Sequence, residues 1–358
     1  MPEPLKYLYN EVLLNNLSRE VSNRYPEFDS EGFSRYVLDD DWDNKELKER
    51  MKHITVALGE FIHLPYGEAV SMLSQASSQF SGFEYMFFPG FVELYGMDHL
   101  QESIAAMEAM TPFSSAEFAV RPFIKQYPEE MLDQLLRWSK SDNYHVRRLA
   151  SEGCRPRLPW AMALPAFKRD PQPILPILEN LKHDDSEFVR RSVANNLNDI
   201  SKDHPDIVIE IAKRWLGDNN DTDRLVKHAC RTLLKQGVPE VMTLFNYSSA
   251  EHFEVSGLTV TDQVHMGEAV EFSFTLSNNT ALGKLRLEYA VGFLRKNGSH
   301  SKKVFKISET EVESTTKQVT RRHSFKPITT RTYYSGTHYL TIIANGVELA
   351  EAEFLLSK

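Results

Sequence analysis

The 358-residue chain has only two cysteines, Cys154 and Cys230. That is too few for a disulfide framework and suits a reduced, cytoplasmic protein. No apolar run approaches the roughly 20 residues needed to span a membrane. The opening Met1-Pro2-Glu3-Pro4 lacks the basic and apolar regions of a signal peptide. GxGxxG, P-loop, HExxH and CxxC motifs are all missing, nothing resembles a nucleophile elbow, and the 12 histidines are scattered without ligand spacing. The expectation is therefore no cofactor, no metal and no membrane partner.

Net charge, −9, argues superficially against a nucleic-acid partner. The charge is unevenly spread, however. Residues 1–113 carry 8 Lys/Arg against 19 Asp/Glu, residues 114–237 carry 20 against 18, and the remainder 13 against 13. The acid is concentrated in the first third, so local patches decide the question.

At this length two or three folding units are expected. The first third reads as helix, with apolar spacing through Leu47, Met51, Ile54 and Leu58, and with Phe87, Phe88, Phe91, Leu94 and Tyr95 as core. From Pro112 the pattern becomes regular helical hairpins. Pro128, Pro173 and Pro205 stand near helix starts, each helix followed by a polar turn that ends in an N-cap. Near Phe245–Ser249 the period changes from helix to strand. Val255–Val260, Ala269–Leu276, Leu285–Ala290 and Tyr339–Ile343 alternate, and turn signals fall at Asn278-Asn279, Asn297-Gly298, Ser335-Gly336 and Asn345-Gly346. About seven strands without cysteine predict an immunoglobulin-like sandwich over 248–358, following a mainly α, HEAT-like solenoid over 1–247.

Within the helical region a basic helix recurs: Val146-Arg147-Arg148-Leu149-Ala150, Val189-Arg190-Arg191-Ser192-Val193 and Val226-Lys227-His228-Ala229-Cys230. The valines stand 43 and 37 residues apart, as in helical repeats of roughly 40 residues. On a helical wheel Val146, Leu149, Ala150 and Gly153 form the inward stripe. Arg148, Glu152 and Arg155 fall opposite, matched by Arg191, Asn195 and Asn198, then by His228, Thr232 and Lys235, with Asp199 beside Asn198. A further helix over Ser114–Lys125 is expected to present Glu117 and Arg121 outward. Two readings stand. One is a solvated face laced with i,i+4 ion pairs. The other is a stacked basic groove for a phosphate backbone, to which Arg157, Lys168, Arg169, Arg190 and Arg231 add. A carboxylate repels phosphate, so Glu117, Glu152 and Asp199 need a reason to be there, and catalysis is one.

Four stretches carry a family resemblance: Glu46–Ile54, Ser115–Phe123, Ala150–Trp160 and Ser192–Pro205. Over roughly residues 45–245 the chain resembles the AlkC branch of the DNA alkylation-repair glycosylases, some of which carry an Ig-like extension. The resemblance implies HEAT-like repeats that act as a monomer on duplex DNA, in a bacterial cytoplasm, excising cationic bases such as 3-methyladenine and 3-methylcytosine without full base flipping. It implies Glu152 and Asp199 as the essential carboxylates, Glu117 beside them, and Phe118 and Trp160 as aromatics at the lesion. The sister AlkD branch uses an Asp and two Trp residues; here only Trp160 is comparable.

The β domain has a basic hairpin tip, Arg295–Lys303, including Lys302 and Lys303. Arg321, Arg322, His323 and Lys326 form a second basic cluster, and both could meet phosphates. Two other readings of the whole chain remain: a DNA-binding solenoid without catalysis, and a protein-interaction scaffold whose acidic first third is the partner surface.

Overall fold

The computed structural model describes residues 4–328 and 331–358. Six helices build the acidic first third: α1 (Glu11–Ser22), α2 (Ser30–Val37), α3 (Leu47–Phe61), α4 (Tyr66–Ser77), α5 (Phe87–Tyr95) and α6 (Leu100–Met110). Then come α7 (Val120–Gln126), α8 (Pro128–Trp138), α9 (Tyr144–Gly153), α10 (Pro165–Arg169) and α11 (Leu175–Leu181). The last helices are α12 (Glu187–Ile200), α13 (Pro205–Trp215), α14 (Asn220–Ala229), α15 (Arg231–Lys235) and α16 (Pro239–Leu244).

Local chemistry explains the hairpins. Pro128 opens α8, where its missing N–H costs nothing. Asn143 caps α9, its side chain accepting from the His145 N–H at 2.9 Å. The turn before α12 is organised differently: Asp184 accepts from the Ser186 N–H at 2.8 Å and is held by Arg147 at 2.5 Å. The three recurring basic helices, α9, α12 and α14, pack in that order. Their seam is polar as well as apolar. Ser151 donates its hydroxyl to Ser192 at 2.7 Å, and Asn196 donates to the Ser151 carbonyl at 2.8 Å. Directional buried hydrogen bonds of this kind fix register, which oily contact alone leaves loose.

Eight strands are described: β1 (Glu254–Val260), β2 (Gln263–His265), β3 (Ala269–Ser277), β4 (Gly283–Leu294), β5 (His300–Val312), β6 (Thr316–Ser324), β7 (Gly336–Ala344) and β8 (Val347–Ser357). They form two sheets, β1-β3-β6 and β2-β8-β7-β4-β5. The core alternates as expected in β3, where Val270, Phe272, Phe274 and Leu276 face inward. The strand beyond the seven expected, β2, is three residues long and pairs parallel with β8.

By packing, the chain falls into two compact units. One runs to His204 and resumes over Trp215–Ala229; the other comprises Pro205–Arg214 and Cys230–Lys358. Within the second unit the turn after α15 meets the β7–β8 hairpin at two glycines. A Cβ on Gly346 would lie 2.3 Å from the Gly237 Cα, and both residues have positive φ (+81° and +66°), so only glycine fits either position. The linker before β1 is pinned alongside. Ser248 donates its N–H to the Lys284 carbonyl at 3.2 Å, and Tyr247 donates its hydroxyl to Glu309 at 2.6 Å.

Three expectations need correction. Leu94 and Tyr95 are exposed, because α5 turns that edge away from Phe87, Phe88 and Phe91. The helix expected over Ser114–Lys125 begins only at Val120, so Glu117 sits in the turn before it. His323 is no surface base: it is buried among Tyr289, Phe293, Phe305 and Phe325, and burial pushes its pKa down to about 4.

Candidate active site and nucleic-acid interface

Three of the sequence-selected acids lie along one ladder of alternating charge in the first unit. Arg148 Nη1 donates to Glu117 Oε2 at 2.6 Å, and its Nη2 lies 3.7 Å from Glu152 Oε1. Arg155 Nη1 donates to the same Glu152 oxygen at 2.6 Å, and its Nε donates to Asp199 Oδ2 at 2.9 Å. Lys202 closes the row on Asp199 Oδ1 at 3.1 Å. The order is Glu117, Arg148, Glu152, Arg155, Asp199, Lys202, with charges summing to zero. Both ion pairs of Glu152 fall on Oε1, whereas Asp199 spends each of its oxygens on a different cation.

The ladder corrects the solvated-face reading. Glu152, Arg155 and Asp199 are 5, 7 and 2% exposed. The wheel separated this face from the apolar stripe, but α12 then covers it, bringing Asp199 onto Arg155 from 44 residues away. Burial opposes the charge on Arg155, yet Glu152 and Asp199 together hold its pKa above the ordinary value. A buried charge of this kind is stable only while it is paired.

Arg121 is a second correction. Expected to face outward, it is 0% exposed. It donates Nε to the Met162 carbonyl at 2.7 Å and Nη1 to the Gly153 carbonyl at 2.8 Å, and burial pushes its pKa down to about 10. The cause is the late start of α7: the wheel assumed helical phase from Glu117 to Arg121, where the chain has only a turn.

The remaining site candidates divide clearly. Trp160 is 59% exposed and Phe118 half-buried, and both line a cavity of about 490 Å³ whose wall includes Lys48, Lys52, Met86 and Met162. Glu117 and Arg148 line a neighbouring cavity of about 420 Å³ with Phe83, His145 and Phe188. Arg157 is paired with Asp203 and donates to the Asp199 carbonyl at 3.3 Å. Arg190 is turned away to the Asp184 and Asp185 carbonyls and to Asp221. Arg191 is exposed, and His228 contacts Asn195 Oδ1 at 3.1 Å. In the second unit Arg231 is half-buried and Lys235 exposed on α15. Lys302 and Lys303 are exposed on β5, Lys302 pairing with Glu348 at 2.6 Å.

Sequence reasoning missed Phe83, whose ring lies 5.9 Å from Trp160, and Phe188, over which the Arg148 guanidinium sits at 4.5 Å. Neither carries a sequence signal that separates it from the other 19 phenylalanines. Cys154 is fully buried, its thiol pushed up to about 12, and so is no nucleophile. Among the described residues no group of His, Cys, Asp and Glu could hold a metal ion, and no helix is long and apolar enough to cross a membrane.

Comparison with known proteins places the chain in a family. The family described as "DNA alkylation repair enzyme" matches residues 99–239, and the C-terminal Ig-like domain of the uncharacterised protein YhaZ matches residues 254–358. The protein YhaZ of Bacillus subtilis is 46% identical over 344 residues, 96% of each chain. The alkylpurine DNA glycosylase AlkC of Pseudomonas fluorescens, solved bound to DNA containing an abasic site analog, is 36% identical. It matches with a TM-score of 0.94 over 99% of this chain and 100% of that one. Over nearly its whole length, then, the chain belongs to the AlkC-type branch of the DNA alkylation-repair enzyme family.

Proposed function

We propose that the protein is a DNA glycosylase that hydrolyses the N-glycosidic bond of cationic N-alkylated bases, 3-methyladenine and 3-methylcytosine among them, in duplex DNA and without full base flipping. The observation that carries this reading is the carboxylate ladder, with Trp160 and Phe118 close to its Glu117 end, in a chain similar throughout to a glycosylase solved on abasic-site DNA.

Methylation at N3 leaves the base positively charged. When the bond from C1′ to the base nitrogen breaks, its electron pair neutralises that charge, so no acid is needed to protonate the leaving group. Positive charge then develops at C1′ and its ring oxygen, as in glycoside hydrolysis. A carboxylate about 4 Å away, at an effective dielectric of about 20, supplies about 4 kcal/mol. Expressed only in the transition state, that is on the order of a thousandfold in rate. Water adds to C1′ and gives up its proton to a carboxylate, leaving an abasic site and the neutral methylated base. The asymmetry of the ladder supports Glu152 Oε2 for the water and the cationic sugar, since its other oxygen already takes both arginines. Asp199, engaged at both oxygens, orients Arg155, and Glu117 supports the same charge from the other end. Trp160 and Phe118 face the cationic base through their π surfaces. Arg148, Arg157, Arg191 and His228 approach the backbone, and Lys302 and Lys303 add phosphate contacts from the sandwich.

The test is incubation with methylated duplex DNA and chromatography of the released bases. Wild type should release 3-methyladenine and leave uracil-containing duplex untouched. Glu152→Gln and Asp199→Asn should bind the duplex yet release at about a hundredth of the wild-type rate or less. Full activity in both variants removes the site assignment; uracil release at a comparable rate removes the mechanism.

A further inference from the structure

Trp160 has a backbone that its own side chain disfavours. Its φ is +65°, in the left-handed region where a bulky aromatic residue is strained, and it has neither glycine's freedom nor the local hydrogen bonding of asparagine. Such a conformation persists only when its surroundings over-determine it. Two cations do so here. From beneath, Arg121 takes the carbonyls of Gly153 and Met162, on either side of the loop. Lys48 on α3, which lines the same cavity, donates Nζ to the Trp160 carbonyl at 2.6 Å. The same ammonium lies 5.6 Å from the centroid of the Phe118 ring. One side chain, 112 residues away in sequence, therefore touches both aromatic residues at the candidate lesion site.

We propose that Lys48 is a positioning residue: its ammonium clasps the Trp160 carbonyl and the Phe118 face together, so that the two rings are already set when the damaged nucleotide arrives. Arg121 makes the floor of this clasp, but its burial makes it integral to the fold as well. Lys48 is exposed, so it can be replaced without opening the core. A lysine on a nucleic-acid-binding surface has a simpler use, a phosphate contact, and the two roles give different results. A phosphate contact sets KM and the salt dependence of binding. A positioning contact sets kcat, because it shapes the reacting geometry.

The structure supplies its own reporter. Of the four tryptophans, Trp42, Trp138 and Trp215 are buried, so collisional quenching by acrylamide reads Trp160. The variants are Lys48→Met, which keeps the length of the stem and removes donor and charge, and Lys48→Arg, which restores both. For Lys48→Met we expect an unchanged melting temperature and a Trp160 quenching constant raised by about twofold. On methylated duplex kcat should fall about tenfold while KM stays within a factor of about two. Lys48→Arg should recover most of both signals. An unaltered quenching constant, or a change carried by KM and salt slope alone, overturns the proposal. The kinetic arm rests on the glycosylase reading above, whereas the quenching arm does not. If wild type releases no base, that reading fails, and the clasp is then decided by quenching alone.

Discussion

Arg155 is held between two carboxylates, Glu152 at 2.6 Å and Asp199 at 2.9 Å, with 7% of its surface exposed. Removing it leaves Glu152 and Asp199 facing each other with little water between them, each keeping one cation, Arg148 at 3.7 Å and Lys202 at 3.1 Å. Arg155→Met should therefore cost about 3–5 kcal/mol of folding free energy, read by urea denaturation. A cost below about 1 kcal/mol would show that the ladder is more hydrated than its geometry implies. Arg191, exposed on the next basic helix, should change stability little when replaced by Gln. The contrast shows what the sequence could tell at this scale. Helical period separated Arg148, Glu152 and Arg155 from the apolar stripe, because period is a property of one helix. It could not tell water from a second helix as the environment of that face, because Asp199 reaches it only through tertiary packing. Arg121 was unreadable for another reason: seven residues of α7 begin too late to give Glu117 and Arg121 a common phase.

Among the elements, the strands were legible where alternation ran long enough. β3 and β7 declare themselves, but β2 has three residues and no period to measure. β6 reads as basic through Arg321 and Arg322, both exposed, and that composition drew His323 into the same description. By period two His323 instead joins Val319 on the face that packs inward. The imidazole Nδ1 lies 2.9 Å from the Tyr289 hydroxyl, and burial, with Arg331 and Lys303 nearby, depresses its pKa from the usual 6.5 to about 4. The folded form therefore binds its proton more weakly than the unfolded chain. Its contribution is complete above pH 6.5 and is lost as the pH falls through 6.5 toward 4, up to about 3 kcal/mol. His338, fully buried against Phe325 and Phe354, is shifted in the same direction, again chiefly by burial. Hydrogen exchange of β6 and β7 in the intact chain, followed from pH 7 to pH 4, should show protection falling in that window. His323→Phe should flatten the slope even if it lowers stability at neutral pH; an unchanged slope would remove His323 as its source.

For the whole molecule, the change from helix to strand lies between Leu244 and Glu254, and it is the boundary most visible in the sequence. Packing draws a different line, because Pro205–Arg214 and Cys230–Tyr247 belong with the strands. The Gly237–Gly346 contact is one physical reason: backbone meets backbone there with no side chain to signal it. Ending the chain after Tyr247 should therefore strip helices as well as remove strands. We expect the truncated protein to melt at least 5 °C lower than the intact one and to expose apolar surface to a dye such as ANS. An unchanged midpoint would mean that the helices stand without the sandwich. The chain passes between its two units at His204–Pro205, Arg214–Trp215 and Ala229–Cys230. It is laced across that boundary three times, so recombination with a relative at a single joint would leave one lace mismatched. A working exchange of the second unit must carry Pro205–Arg214 along with Cys230–Lys358, two segments inherited together although they are not adjacent in the gene.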